Sequence, residues 1–427
     1  MEITLAYGRD GLPVTLPDDA AVTMIEPQYV PGLADERAAI EAALAAPIGS
    51  PPLQALGGPS DTVAVVFSDL TRPMPNDRAL PPLLDALTDA GVSSDRIVLI
   101  NALGTHRPQT DEELASMLGA GIADRFRVVQ HDAWDDAALI AVGRNRAGRM
   151  VRVHRAYIEA SVRILTGFVE PHFFAGFSGG PKAVMPGVAD VDAILDNHGA
   201  AMLRHPGSTW ATTEGNPLWE EIRDVVRATQ PTFLLNVALN RDRAITGVFA
   251  GAVDPAHRAA VAFVRKRAMQ PVPEFYDIVI TSNSGYPLDL NLYQAVKGMS
   301  AAAQIVKPGG DIIIAAECWD GLPDHGEYGR LLREAGSVED LVATILTPGF
   351  RCHDQWEAQI QAQIQQRARV HVYADGLDDD QLRDAMVEPV GTIEATVASL
   401  RRDNPAATIA VLPEGPQTVP FVRGTGN

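Results

Sequence analysis

The stretch Thr62-Val-Ala-Val-Val-Phe-Ser-Asp69 decides the fold class of this chain. Its first six residues form an unbroken apolar and β-branched run, which is typical of a strand buried on both faces of a parallel sheet. Ser68 and Asp69 then place polar groups at the carboxyl end of that strand. In open α/β sheets this is the edge at which ligands bind.

Strand, polar loop and helix alternate on both sides of this stretch, which predicts a doubly wound parallel α/β domain. A capping box formed by Thr110 and Glu113 opens one of the helices. Further strands are predicted at Arg96–Ile100, Arg127–Val129, Val162–Thr166 and Phe233–Val237, and helices at Asn76–Ala90, Thr110–Met117 and Pro255–Lys266.

The chain changes character at Gln270-Pro-Val-Pro273, which we interpret as a linker. We therefore predict an N-terminal cofactor-binding domain at 1–269 and a smaller α/β substrate-clamping domain at 274–389, with the active site in the cleft between them. Segment 390–427 could join the first domain, and its strand Thr408–Leu412 fits either sheet. In the smaller domain strands are predicted at Asp277–Ile280, Asp311–Ala315 and Val370–Tyr373, and helices at Asn291–Val306 and Asp354–Arg367.

Composition narrows the function classes. The 427 residues carry 35 basic and 54 acidic side chains, and a net charge of −19 argues against nucleic acid or an anionic membrane surface as a partner. Only two cysteines occur, Cys318 and Cys352, too few for a disulfide framework or a thiolate zinc site. With no signal-like N-terminus and no apolar run of membrane-spanning length, the sequence predicts a cytoplasmic protein.

Polar loops after three predicted strands hold candidate functional groups. Asp69 and Arg72 offer an acceptor and a bidentate fork for a carboxylate or phosphate, although a simple ion pair within the loop is an alternative. His106, between Gly104 and Pro108, could act as a general base or be a solvated surface histidine.

The third loop runs from Glu170 to Lys182 and is the richest in chemistry. Its glycines Gly176, Gly179 and Gly180 would let the backbone approach a ligand, while His172 adds a titratable ring and Lys182 a nucleophilic amine. The loop lacks the Gly-Lys-Ser/Thr of a phosphate-binding P-loop. A Gly-x-Gly-x-x-Gly fingerprint is also missing, which argues against a nicotinamide dehydrogenase.

Two further groups of residues are ambiguous when taken alone. His198, next to the helix-stopping Gly199, could complement a helix dipole or bind nickel, copper or zinc. One predicted helix carries Tyr293, Gln294 and Lys297. These residues could form an exposed polar face or could clamp a substrate. Trp356 could cap a pocket or only pack.

Taken together, five motifs resemble the nickel-pincer-nucleotide-dependent lactate racemase family, in order, with similar spacing and over most of the chain. The motifs are Ser68-Asp-Leu-Thr-Arg-Pro73, Gly104-Thr-His-Arg-Pro108, Glu170-Pro-His-Phe-Phe-Ala-Gly-Phe-Ser-Gly-Gly-Pro-Lys182, Asn197-His198-Gly199 and Tyr293-Gln-Ala-Val-Lys297.

This resemblance implies a cofactor, nickel(II) pyridinium-3,5-bisthiocarboxylic acid mononucleotide, attached covalently at Lys182 with His198 as the protein ligand to nickel. It implies that His106 and His172 are the two acid/base residues. The remaining implied contacts are Asp69, Leu70, Thr71, Arg72 and Trp356 to the cofactor, and Arg72, Tyr293, Gln294 and Lys297 to the substrate.

The activity implied is racemisation or epimerisation of a 2-hydroxy acid by proton-coupled hydride transfer through a 2-keto acid, with cofactor-biosynthesis proteins as transient partners. Lactate, a larger aliphatic or aryl 2-hydroxy acid, malate and a sugar acid all stay open as substrates, and Phe173 and Phe174 indicate an apolar pocket wall. Two alternatives remain: a zinc-dependent hydrolase that uses His106, His172 and His198 as ligands, and a non-catalytic cofactor- or sugar-acid-binding protein. The oligomeric state is not readable from the sequence.

Overall fold

The computed structural model describes residues 1–323 and 326–423, so the last four residues of the segment 390–427 lie outside the described residues. Its strands are β1 Glu2–Leu5, β2 Leu12–Thr15, β3 Val22–Met24, β4 Val63–Ser68, β5 Ile97–Ala102, β6 Arg127–Gln130, β7 Leu139–Arg144, β8 Met150–His154, β9 Val162–Phe168, β10 Pro171–His172, β11 Gly176–Phe177, β12 Phe233–Leu239, β13 Ile245–Gly251, β14 Met269–Val272, β15 Tyr276–Ser282, β16 Val306–Ala315, β17 Arg369–Tyr373, β18 Glu388–Pro389, β19 Ile409–Leu412 and β20 Val419–Val422. Its α-helices are α1 Glu36–Ala45, α2 Asn76–Asp89, α3 Asp111–Leu118, α4 Ile122–Arg125, α5 Arg155–Glu159, α6 Val191–Asn197, α7 Ala200–Leu203, α8 Pro217–Ala228, α9 Val253–Ala268, α10 Leu292–Ala303, α11 Tyr328–Glu334, α12 Val338–Ile345, α13 Gln355–Gln365, α14 Asp379–Asp384 and α15 Ile393–Asp403.

The first sheet has six strands in the order β13-β12-β9-β4-β5-β6. All neighbours are parallel except β12 and β13. The central strand β4 has Val63 to Phe67 fully buried, because helices and loops cover both faces of the sheet. The fold class predicted from Thr62–Asp69 is therefore confirmed, and so is the capping box of α3, in which Thr110 and Glu113 satisfy each other's backbone N–H groups.

The second sheet has the order β18-β17-β16-β15-β19-β3 and is parallel throughout. Two of its strands come from the ends of the chain, since β19 pairs with β15 on one side and with β3 on the other. The predicted strand Thr408–Leu412, which fitted either sheet in the sequence, corresponds to β19 and thus belongs to the second sheet. Strand β3, Val22–Met24, also belongs to the second sheet, although the predicted domain 1–269 includes it. The partner of so short a strand is set by long-range contacts.

The predicted linker Gln270–Pro273 is not a free connection. Most of it forms β14, which pairs in parallel with β20 from Met269↔Val419 to Val272↔Val422. Prolines are tolerated in this ladder because a two-stranded pair consists only of edges, where a missing N–H leaves no buried acceptor unpaired. The strand β20 near the end of the chain therefore packs along the segment that joins the two halves of the molecule.

The two sheets face a common cleft. The loops after β4, β5 and β9 border it on one side, and helices α10 and α13 border it on the other. Within residues 1–323 and 326–423, no helix combines the length and apolar character needed to span a bilayer.

Candidate active site

The cleft encloses a cavity of about 120 Å³ that brings together side chains from both halves of the chain. The predicted residues that line it are Asp69, Arg72, His106, His172, Lys182, His198, Tyr293, Gln294, Lys297 and Trp356. Leu70 and Thr71 line an adjoining cavity of about 40 Å³ on the far side of His106. Residues spread over almost 290 positions of sequence thus converge, because the carboxyl ends of parallel strands meet at one edge.

The loop after β4 holds one histidine in a fixed orientation. Asp69 is 3 % exposed, and its Oδ2 lies 2.7 Å from Nδ1 of His106. The Thr71 hydroxyl donates to Asp69 Oδ1 at 2.9 Å, and Arg72 Nη1 donates to that hydroxyl at 3.1 Å. The chain Arg72, Thr71, Asp69, His106 is therefore one hydrogen-bonded unit.

Charge and hydrogen bonding fix the proton positions in this unit. Burial alone would raise the pKa of Asp69, but the charges and hydrogen bonds of His106, Arg72 and Thr71 outweigh burial and hold that pKa below its ordinary value. An ionised carboxylate only accepts, so His106 donates from Nδ1, and Nε2 is the ring nitrogen left to exchange a proton with a ligand. This is the arrangement of a general base with a carboxylate behind it.

His172 has a different environment. It sits in the two-residue ladder of β10 and β11, opposite Gly176, and it is 5 % exposed. Its ring stacks on Phe173 at 4.9 Å and meets Phe174 edge-on at 4.5 Å between centroids. Burial, with the nearby cations Lys182 and Lys297, lowers its pKa well below the ordinary value, so the ring is neutral.

The hydrogen bonding of His172 also differs from that of His106. Its Nδ1 accepts from the backbone N–H of Ala175 at 3.3 Å, which leaves the ring proton on Nε2. The two imidazoles of the cleft therefore use Nδ1 in opposite ways: His106 bonds through it to a carboxylate, whereas His172 accepts at it from the backbone.

Two glycines of the third loop, Gly176 and Gly180, are required by packing, whereas Gly179 lines the cavity. A Cβ at Gly176 would lie 2.2 Å from the carbonyl oxygen of Thr212, and one at Gly180 would lie 2.4 Å from the ring of His257. The expectation that these glycines let a ligand approach the backbone is therefore wrong for both residues: the close neighbour is the protein itself.

Replacing Gly176 with alanine is expected to destabilise the fold by at least about 3 kcal/mol, since a backbone carbonyl cannot move aside for the new methyl group. Gly148 is a matched control, because it has almost the same backbone angle (φ +78° against +79°) and nothing within 4 Å of its Cβ position. Gly148→Ala should cost about 1–2 kcal/mol. Denaturant unfolding of both variants measures the difference, and equal losses would contradict the clash.

Lys182 lies in a short 3₁₀ turn, Gly180–Ala183, at the base of the cleft. Burial, together with the positive charges of Arg72 and Lys297, lowers the pKa of its amine to about 7, and Glu170 only partly opposes them. Its Nζ lies 5.7 Å from the ring centroid of Phe174. At pH 7 about half of such an amine is neutral and nucleophilic, whereas a free lysine is almost fully protonated.

His198 ends helix α6 and is 4 % exposed. It contacts Phe174 and Trp356 edge-on, at 5.1 and 5.3 Å between centroids. Its Nδ1 is buried with no hydrogen-bond partner among the described residues, and burial lowers its pKa well below the ordinary value, with Lys182 contributing. A neutral, buried imidazole with an unpaired nitrogen suits a metal ligand.

Helices α10 and α13 form the opposite wall. Asn291 caps α10 by accepting from the N–H of Gln294, and within the helix Lys297 Nζ donates to Gln294 Oε1 at 2.6 Å. The indole of Trp356 donates to the Tyr293 hydroxyl at 2.7 Å and so ties α13 to α10. The side chain of Lys297 is thereby held in the cavity, where burial and Arg72 lower its pKa.

Sequence reasoning missed two acidic residues at this wall. Glu357 lines the cavity and is 2 % exposed, and Asp354, which precedes α13, has its pKa raised to about 6 by burial. The only sequence signal was an acidic residue next to Trp356 in an otherwise glutamine-rich helix.

The described residues, 1–323 and 326–423, contain no group of three or more His, Cys, Asp or Glu side chains that could hold a metal ion. The zinc hydrolase alternative, which needs His106, His172 and His198 as a ligand set, is therefore wrong. The physical reason is that the three histidines are held on separate elements, namely the loop after β5, the β10–β11 hairpin and the end of α6, and do not converge on one point.

Fold and site together define a two-domain α/β protein whose cleft brings together histidines, lysines and an arginine. Residues 7–211 match the family model described as "Lactate racemase N-terminal domain", and residues 273–419 match "Lactate racemase C-terminal domain".

Curated relatives and a solved structure agree with these matches. The lactate racemase of Thermoanaerobacterium thermosaccharolyticum is 34% identical over 419 residues, which is 97% of each chain. That of Lactiplantibacillus plantarum is 36% identical over 382 residues, 89% of this chain and 90% of the relative. The solved lactate racemase apoprotein from T. thermosaccharolyticum superposes with a TM-score of 0.91 at 33% identity, covering 99% of this chain and 100% of that one.

The chain belongs to the lactate racemase family, and it is an enzyme of the isomerase class, a racemase. The resemblance seen in the five motifs is confirmed. The non-catalytic alternative is not supported.

Proposed function

We propose that this enzyme interconverts the two enantiomers of lactate. One observation supports this most: the cleft holds two histidines with different hydrogen-bond partners, His106 and His172, beside the cations Arg72 and Lys297. A racemase must serve both enantiomers of an anion, so it needs two acid/base groups and a fixed carboxylate site. A small, partly aromatic cavity suits a short 2-hydroxy acid.

Two residues fit the implied cofactor. Lys182 offers a buried amine with a pKa of about 7, as a covalent attachment needs, and His198 offers a buried unpaired nitrogen, as a nickel ligand needs. The described residues offer no further ligand set, so the other donors to nickel would come from the nucleotide. When bound, the nickel-pincer nucleotide supplies the hydride acceptor for the reaction.

The remaining work falls to side chains of the chain itself. Arg72 and Lys297 hold the substrate carboxylate, and Tyr293 and Gln294 flank it from α10. His106 Nε2 takes the hydroxyl proton while Asp69 stabilises the imidazolium that forms, and a planar 2-keto acid results. His172 returns a proton to the oxygen in its imidazolium form, which the negative charge of the bound carboxylate favours. The two histidines therefore share one proton, which starts on His172 for one enantiomer and on His106 for the other.

The halves of the molecule divide these tasks. In this proposal the first sheet carries cofactor attachment and both histidines, and helices α10 and α13 clamp the substrate. Asp69 to Arg72 and Trp356 contact the cofactor from the two sides. Both cysteines are free, which suits a reducing cytoplasm, where the cofactor-biosynthesis proteins would be transient partners.

The test is a chiral assay on enantiopure lactate, malate, an aryl 2-hydroxy acid and a sugar acid, using protein produced together with the cofactor pathway. We expect lactate to be converted to an equal mixture of enantiomers, whichever enantiomer is supplied. Conversion of another acid with lactate untouched would contradict the substrate assignment but leave racemisation intact.

Replacing Asp69 with asparagine should lower kcat by about 10²-fold or more, because the amide no longer fixes the His106 tautomer or stabilises its charged form. Steady-state racemisation rates measure the loss. Asp132→Asn is a suitable control, since its carboxylate is exposed and only accepts from Trp134 N–H. A wild-type rate in Asp69→Asn would show that His106 needs no carboxylate partner.

A further inference from the structure

Glu357 is a buried acid that none of the roles above uses. It lies in the first turn of α13, next to Trp356, and is 2 % exposed. It lines the same cavity as Lys297 and Arg72, the two cations proposed to hold the substrate carboxylate. Glu357 thus borders the part of the cleft where an anion would bind.

The carboxyl of Glu357 is not satisfied by the protein. Its Oε1 is buried without a hydrogen-bond partner among the described residues. Lys297 does not supply one, since its ammonium donates to Gln294, and no ion pair joins it to Glu357 in residues 1–323 and 326–423. An unpaired carboxyl inside a cavity costs free energy, which a ligand can recover.

The surroundings favour the protonated form of this acid. Burial raises the pKa of Glu357, and Asp354 adds to this, while Lys297 and Arg72 oppose it without reversing the shift. The other ionisable groups facing it are Tyr293 on α10 and Tyr328 on α11, both of which are neutral phenols because burial raises their pKa. A neutral acid in such a site donates a hydrogen bond.

We propose that Glu357 completes the carboxylate site in its protonated form, donating a hydrogen bond to a substrate carboxylate oxygen while Lys297 and Arg72 supply positive charge. This inference rests on the proposed binding of a 2-hydroxy acid in the cleft. An ionised Glu357 repels the substrate carboxylate, so anion binding draws a proton onto Glu357 whenever the free enzyme has lost it. Substrate affinity therefore falls as the pH rises, and the deprotonation of Glu357 causes part of that fall.

The test counts protons. Calorimetry of lactate binding to the cofactor-loaded enzyme, at about pH 9 in two buffers of unlike ionisation enthalpy, gives the number of protons taken up per lactate bound. An equal mixture of the enantiomers avoids heat from net turnover. Lys297 also titrates here, since its pKa is lowered, so the comparison with Glu357→Gln isolates the contribution of the acid.

We expect the wild type to take up about one proton more than Glu357→Gln, and the amide variant to bind lactate at about pH 7 within roughly threefold of the wild type, because its N–H still donates. Glu357→Ala should bind about tenfold more weakly. Glu221→Gln is the matched control, because that buried acid accepts from Asn197 and from the N–H of Arg146 instead of facing the cavity, and its proton count should equal the wild type's.

Equal proton counts in wild type and Glu357→Gln would overturn the assignment of Glu357 while leaving the proposed function intact. Absence of lactate binding by the wild type would overturn the proposed function itself. Infrared spectroscopy of the wild type tests the protonation of Glu357 without any variant that has to fold. Lactate binding should shift the carbonyl band of a protonated carboxyl group. A spectrum in which no such band responds to lactate would also overturn the assignment.

Discussion

Replacing either His106 or His172 with alanine is expected to lower the racemisation kcat by about 10²–10⁴-fold, the usual contribution of a positioned acid or base. Both directions of a racemase use both groups, since one takes the hydroxyl proton and the other returns it. The two losses should therefore be of similar size for either enantiomer, even though the two rings differ in exposure and in hydrogen-bond partner.

Two controls make this result specific. Intact mass and nickel content of both variants should match the wild type, because neither histidine is a proposed cofactor ligand. His131→Asn replaces a buried imidazole that bonds to the Ala189 carbonyl outside the cleft, and it should retain activity. Full activity in both His106→Ala and His172→Ala would refute their assignment as the acid/base pair.

Replacing Lys182 with arginine is expected to abolish cofactor attachment and activity together. Arginine keeps the positive charge and much of the length, but its guanidinium cannot act as the amine nucleophile. Intact mass should show an unmodified chain, and metal analysis should show the nickel lost with the nucleotide. The chain has only four lysines, Lys182, Lys266, Lys297 and Lys307, so peptide mapping of the wild-type adduct is unambiguous.

Lys297→Arg is the matched control for Lys182→Arg, because it makes the same substitution at the other lysine of the cavity. It should keep the adduct on Lys182 and raise KM, since its role is to hold the substrate. In the wild type, attachment should become faster as the pH rises through about 7, where the Lys182 amine loses its proton. An adduct retained by Lys182→Arg would place the attachment elsewhere.

The fold class was readable from β4 because a strand buried on both faces carries an unbroken apolar run, and a capping box such as Thr110 with Glu113 is a local signal. The partners of β3 and β19 were not readable. A three- or four-residue strand holds no information about which sheet it will join, and both lie far in sequence from β15. The same limit hid the pairing of β14 with β20, which looked like a proline-rich linker.

The candidate site, like the fold, was predictable from the sequence only in part. Residue type and position after parallel strands identified Asp69, Arg72, His106 and the loop from Glu170 to Lys182, because such residues meet at one edge of the sheet. The family resemblance was needed to identify the residues on the helices α6, α10 and α13. What these signals could not show was the pairing of Asp69 with His106, the clash that makes Gly176 a packing residue, or the burial of Glu357. Each of these depends on a three-dimensional neighbour that is distant in sequence.

Racemisation in deuterium oxide tests the central claim most directly. Enantiopure lactate is incubated with the cofactor-loaded enzyme until both enantiomers are equal, and deuterium at C2 is measured by mass spectrometry. Our account predicts a racemic product that keeps its original hydrogen at C2, because that hydrogen leaves and returns as hydride while His106 and His172 handle only the hydroxyl proton. Racemic lactate carrying solvent deuterium at C2 would contradict it, since that outcome requires removal of the α-proton by a side chain.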